Sequence, residues 1–511
     1  MPFAATSLSP HARRAITLKR LLIAVAAVGL LVMVAAMVYV AIVVNKPRGQ
    51  PGKYAAQIEA IVLEGQIVTG PNGMDVIREI GELLEATERE TLAKIGSETT
   101  PGGVDYITWL SSGPGILVRD ENKTDANARS SREARACFTA LMEGEVPALM
   151  DKLAGTTWAL IPVLTDQMIF GQLPVEMGVA RQIARLAAVR LHQAAVSGNA
   201  AGAVAALRCG LVVGRHSGNQ YGQISGLTGI SIDVRMYAEL RDMVLAGSPE
   251  PTVVAALIAK LKAFPAPTMR KSIRTERLGV LDCVELNHTA DGFGGGVLLR
   301  NFLGIYVHFD ESSGSALAGL ASPRKGVTRA DANRVFDLME AASNLPTVAE
   351  ASVKRQQCDS LTYSIVATNK LLAQVLPSAR SATTHFSIQA ERNFTLCMLA
   401  LELFERQTGS LPPTLEALTV ARGDSPAILG AADILDPCSG KPLIYRLAGP
   451  ADEQRATTPN GWPARPRRYV LYSVGGDGVD NGGVAPPREV GRSKVIDSIV
   501  PGYDVDFTVG Y

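Results

Sequence analysis

The sequence predicts a mainly α-helical protein: an N-terminal transmembrane helix, a body that is a helical bundle or short α-solenoid, and a small C-terminal α+β module. Three observations carry this. Leu21 to Val44 is an unbroken apolar run without charge or proline. From Ser131 onward, apolar residues recur at helical spacing with short polar breaks. After Gly409 the texture changes to short β-prone runs, Lys441–Tyr445 and Arg468–Tyr472 with their tyrosines, and a last one over Asp504–Val509.

The run 21–44 holds 24 residues, which at about 1.5 Å each span roughly 36 Å, enough to cross a hydrocarbon core of about 30 Å. A cleaved signal peptide has a shorter apolar region, about 7–15 residues. An uncleaved single-pass anchor is therefore expected. Arg13, Arg14, Lys19 and Arg20 precede the run, and Lys46, Arg48 and Lys53 follow it. Four cations against three orient the chain with residues 1–20 cytoplasmic and the bulk extracytoplasmic, at a cell membrane.

Residues 45–130 read as a juxtamembrane helical stalk and linker. Ile58, Ile61 and Val62, then Val76, Ile77, Ile80, Leu83 and Leu84, have helical spacing around a Gly70-Pro71-Asn72-Gly73 turn. The stretch 97–132 is polar and loop-like. Residues 131–384 form the helical body. Val179 to Leu191 make one apolar stripe, stopped at Ser197-Gly198-Asn199. Ala203–Val213 is a second helix, with a break expected over Gly214–Asn219. Ile224–Leu245 and Pro251–Phe264 follow, and small residues along these helices permit close antiparallel packing. The Asp291–Gly296 segment lacks the glycine spacing of a dinucleotide fingerprint and reads as a flexible loop. Thr328–Asp331 resembles a capping box opening a helix to about Ser343. Residues 347–375 are mostly helical. Phe386–Gln407 is amphipathic, with Phe386, Phe394, Cys397, Leu401 and Phe404 on its apolar side, and Gly409 ends it.

Apolar residues make up 47% of the 511 and charged residues 19%, so the chain buries a core. With 50 basic against 49 acidic residues, bulk phosphate neutralisation is excluded, and no nucleic-acid partner is expected. The six cysteines are widely spaced and form no CxxC; outside the cytoplasm they permit disulfides, while Cys209 and Cys397 fit buried thiols in helices. Motifs for zinc hydrolases, nucleophile elbows and phosphate loops are absent. Asp282, Glu285 and His288 share helical spacing, as an acid–base trio or, more commonly, an ordinary solvated face. Asn122, Asn287 and Asn393 open glycosylation sequons. An enzyme is not the expected reading.

Residues 385–511 contain Gly409-Ser-Leu-Pro-Pro-Thr-Leu-Glu-Ala-Leu418, Asp436-Pro-Cys-Ser-Gly-Lys-Pro-Leu-Ile-Tyr445 and Tyr472-Ser-Val-Gly-Gly-Asp-Gly-Val-Asp-Asn-Gly-Gly483. This order resembles the globular domain of the major pseudopilin of type II secretion, and the tails of uncharacterised bacterial membrane-anchored proteins with a helical body. The resemblance implies an α+β module that binds calcium in the loop after its last strand. It places Asp477 as a ligand and matches the closing Asp504-Val-Asp506, beyond an insertion over about 484–501. Composition adds Asp480. Such a loop suits Ca²⁺, which takes six to eight hard oxygens from carboxylates and carbonyls. At the N-terminus, Ala15-Ile-Thr-Leu-Lys-Arg-Leu-Leu-Ile23 is similar to a prepilin start, but Ala15 replaces the cleavage glycine and Arg20 the assembly glutamate.

The expected role is structural or interaction-based at the envelope, with the membrane bound through residues 21–44, a protein partner, and calcium stiffening the tail. Two rivals stand beside it: a divergent component of a type II secretion or pilus-like apparatus, and an enzyme with an unrecognised site in the helical body.

Overall fold

The computed structural model describes residues 46–94, 136–298, 322–449, 464–487 and 502–507, apart from short breaks, together with Asp452 and parts of 28–39. Its elements are mainly helical: α1 (Ala55–Leu63), α2 (Gly73–Lys94), α3 (Val146–Ala154), α4 (Glu176–Val196), α5 (Ala200–Gly218), α6 (Gln223–Ala246), α7 (Pro251–Lys262), α8 (Arg270–Asn287), α9 (Lys325–Ser343), α10 (Val348–Val366), α11 (Leu372–Val375) and α12 (Thr384–Thr408). Two strands, β1 (Ile444–Leu447) and β2 (Tyr469–Tyr472), pair antiparallel with Ile444 opposite Tyr472. Among the described residues no helix is long and apolar enough to cross a membrane. The expected span 21–44 lies largely outside them, as do the linker 97–132 and Asn122.

Local chemistry explains several helix ends. Asn199 caps α5 by accepting from the Gly202 N–H at 2.9 Å. Gly247, at φ 74°, takes the left-handed turn that stops α6, and Pro251 opens α7 where its missing N–H costs nothing. Gly409, at φ 79°, ends α12 as expected. One start differs. Helix α9 begins at Lys325, and Thr328 lies inside it, donating to the Pro323 carbonyl and accepting from Asn369 Nδ2 at 3.1 Å. The apparent capping box is thus an interior hydroxyl with two tertiary partners.

The expected break at 214–219 is also displaced. Helix α5 continues through Gly218, because its glycines serve packing and not a turn. A Cβ on Gly229 of α6 would stand 2.5 Å from the Gly214 carbonyl oxygen and 2.6 Å from the Gly218 Cα. The α5 and α6 backbones therefore touch directly, which only glycine allows. Around this crossing α5 also packs on α3, α4 and α7, and α2 lies against α3 and α4. The two helices of the expected N-terminal hairpin accordingly rest on the body, with α1 along α8.

Helix α12 is buried all round from Phe386 to Phe404, save a few positions, and packs against α6 and α7. Its polar side is turned inward too, and every buried charge there has an opposite (Glu391 with Arg241, Arg392 with Asp433, Glu402 with Arg406, Arg465 and Arg468). One apolar core runs from Met74 on α2 through Tyr237 and Phe336 to Phe394 on α12. There Phe507 meets Phe394 edge-on, at 5.1 Å between ring centres. All six cysteines are free and buried.

Candidate functional site

The tail loop is built on Asp436. Its Oδ1 accepts the Cys438 N–H and the Ser473 hydroxyl, each at 2.9 Å, and its Oδ2 accepts the Val474 N–H at 3.0 Å. The first of these is the self-turn that an aspartate before proline favours. The other two pin the end of β2 to the 436–443 segment. Ser473 then exchanges backbone hydrogen bonds with Val505, N–H to O 3.0 Å one way and 2.8 Å the other. This bridge carries Asp504 and Asp506 alongside the glycine-rich loop despite the insertion between them.

Within the loop, Gly475, Gly478, Gly482 and Gly483 all have positive φ. Asp477 accepts the Val479 N–H on Oδ1 at 3.0 Å and the Gly502 N–H on Oδ2 at 3.1 Å. Asp480 Oδ1 accepts the Tyr472 hydroxyl at 2.8 Å and the Gly482 N–H at 2.9 Å. Asp504 Oδ2 accepts the Asn481 and Gly483 N–H groups at 2.9 and 2.7 Å. Its Oδ1 is buried and has no hydrogen-bond partner. Burial pushes the Asp504 carboxyl up to about 6, against those two N–H bonds, and the nearby charges of Asp480 and Asp477 add to the rise. Asp506 is also buried, and its charge bears on Tyr469.

The structure thus brings Asp477, Asp480 and Asp504 into one electrostatic neighbourhood and places Asp506 toward Tyr469. Among the described residues no three Asp, Glu, His or Cys side chains converge closely enough to hold a metal ion. Carboxylates alone do not complete a site, and carbonyl oxygens of the loop would have to supply the remainder. Two residues that shape this loop, Asp436 and Tyr472, sit within the quoted motifs, but spacing alone does not reveal that they point inward.

The trio at the end of α8 is not a solvated face. Asp282, Glu285 and His288 are all buried, and the chain around Pro47, Gly49 and Lys53 lies as a strap against the first two. Asp282 accepts the Lys53 N–H at 3.1 Å and the Ile169 N–H at 3.3 Å. Glu285 is paired with Lys53 and Lys325, each at 3.3 Å, and with Arg329. Burial raises its carboxyl, but Lys325 and Arg329 overcome that and hold it below the ordinary range. His288 Nδ1 lies 2.8 Å from the Val284 carbonyl, and burial lowers the ring's pKa against its hydrogen bonds to the Val284 and Pro323 carbonyls. Each member has a separate structural partner. Asn287 and Asn393 are buried as well, out of reach of a glycosylating enzyme in the folded chain.

Comparison with known proteins returns nothing: no family model matches the chain, no curated protein matches it, and no solved structure matches it.

Proposed function

We propose that this is a single-pass, membrane-anchored protein with its N-terminus cytoplasmic and its bulk extracytoplasmic, serving a structural or interaction role with a tail stiffened by calcium. The observation that carries the calcium reading is Asp504 Oδ1, a buried carboxylate oxygen without a partner beside Asp477 and Asp480. A divalent cation there would be held by Asp504 Oδ1 and loop carbonyls, with the nearby charges of Asp477 and Asp480 favouring it from farther off. It would neutralise their mutual repulsion and tie the chain end to β2. The resemblance of the tail to the major pseudopilin's globular domain supports the same reading. The anchor is supported by the uncharged run 21–44 and by its described portion, where helical Val28, Leu31 and Met37 are exposed.

The test is the melting temperature of the full chain in detergent, in excess EDTA and then with about 1 mM Ca²⁺. A site with Kd near 0.1 mM adds roughly 1.4 kcal/mol, a rise of about 1–3 °C for a body this large. Asp504→Asn abolishes the rise. Coincident wild-type melts would remove calcium from the account.

A further inference from the structure

The strap that buries Glu285 also fixes what lies at the exit of the apolar run. Two glycines press it against the body: a Cβ on Gly49 would stand 2.8 Å from the Glu285 carbonyl oxygen, and one on Gly52 would stand 2.5 Å from the Thr165 Cα. The Ala290 N–H donates to the Pro47 carbonyl at 2.9 Å, and Lys46 Nζ to the Asp291 carbonyl at 3.4 Å. Arg324 Nη2 reaches the Tyr39 hydroxyl, inside the run 21–44, at 3.3 Å, while its Nη1 donates to the Gly295 carbonyl at 3.2 Å. The body is therefore clamped within a few residues of the end of the run, and the first turn of α9 is held at the same level.

Charge collects at that level. Among the described residues Lys46, Lys53, Arg324, Lys325 and Arg329 gather there with Glu285, Asp291 and Asp282, five cations and three carboxyls, with Lys53, Lys325 and Arg329 on the Glu285 carboxylate. Lys325 is buried between Glu285 and Asp291, whereas Arg324 is exposed and, among the described residues, hydrogen-bonds only neutral groups. No acidic residue occupies the first turn of α9, and Val327 projects from it, about half exposed. An unneutralised guanidinium, a second cation at Lys46 and a bare valine, beside a tyrosine of an apolar helix, have the composition of a surface that lies on lipid headgroups.

We infer that the first turn of α9, with Arg324 and Lys46 as its cations, docks on the phosphates of anionic lipids around the anchor and fixes the body's orientation on the bilayer. This rests on the reading of 21–44 as a membrane span. Arginine suits the role because its planar fork grips phosphate oxygens in pairs. The site draws its cations from both sides of the strap, so a lipid bound there bridges residues nearly three hundred positions apart.

The test uses the full chain in lipid nanodiscs. The six native thiols are buried, so Val327→Cys carries a single fluorophore, read against lipids bearing a headgroup quencher. Carbonate extraction from vesicles comes first: a chain stripped from the membrane loses the anchor, and the inference falls with it. For an anchored chain, quenching is expected to be at least about two-fold greater with roughly 30% anionic lipid than in neutral discs, and to fall in high salt. Arg324→Gln with Lys46→Gln removes the difference, while Arg334→Gln, farther along α9, leaves it. Equal quenching in neutral and anionic discs overturns the dock alone and leaves the anchor standing. So does inorganic phosphate that raises quenching in neutral discs as anionic lipid does, since that identifies a free-anion site.

Discussion

Arg241 Nη2 lies 3.2 Å from Glu391 Oε2, and both side chains are almost wholly buried. The pair joins α6 of the body to α12, and the same guanidinium donates to the Thr395 hydroxyl at 3.1 Å and stands over the Phe507 ring. Removing one partner strands a buried charge, so Glu391→Ala is expected to cost about 3–5 kcal/mol in denaturant unfolding. Replacing both with apolar residues, Arg241→Met with Glu391→Leu, costs less than the single change.

Two buried carboxyls make stability fall with rising pH. Burial lifts Asp504 from 3.8 to about 6 and Asp233 from 3.8 to about 8. The folded chain therefore binds more protons than the unfolded one across those windows, and stability declines as pH passes through them. Asp233 is the larger effect: its Oδ1 has no partner, pressed against Gly214 at the α5–α6 crossing. Asp233→Asn is expected to gain on wild type by on the order of 5 kcal/mol between pH 4 and 9. Asp504→Asn gains between pH 4 and 6 in calcium-free buffer. Thermal melts at a series of pH values read both differences, and a constant offset would contradict the assignment.

Gly229→Ala places a methyl onto backbone atoms of Gly214 and Gly218 that cannot rotate away. A loss of about 1–3 kcal/mol is expected. The control is Gly178→Ala on α4, where the added Cβ meets nothing within 4 Å; a neutral or slightly stabilising effect is expected there.

No cysteine is accessible, and burial pushes the Cys209 and Cys283 thiols up to about 12. A thiol reagent is expected to modify none of the six in the folded chain and all of them in denaturant. A reductant should leave the melting temperature unchanged.

The helix ends at Ser197–Asn199, Gly247–Pro249 and Gly409 were legible in the sequence, because capping and turn chemistry is local. So was β2, one residue shorter than the run 468–472, whereas only Ile444 and Tyr445 of the run 441–445 fall in β1, and the last run, from Asp504, contributes the single bridge of Val505 to Ser473. What escaped was set by tertiary partners. Gly214 and Gly218 carry a turn's composition but occupy a helix interior, since the constraint on them lies on α6. Glu391, Arg392 and Glu402 have the look of a solvated helix face until Arg241, Asp433 and Arg468 are placed opposite them. In the tail, the glycine-aspartate loop was visible, whereas the Ser473–Val505 bridge that delivers Asp504 to it spans more than thirty residues and leaves no local mark.

Helix α12 has a consequence for how the chain is made. It covers α6 and α7, yet 146 residues separate the last residue of α7, Lys262, from the last of α12, Thr408. At about 5–20 residues per second, that is an interval of roughly 7–30 s after α7 emerges. During it, Leu257, Leu261 and Met243 have no lid, and Arg241 has no Glu391. Until α12 arrives the nascent body carries that apolar surface uncovered, and a stop codon ahead of residue 384 would leave it so for good.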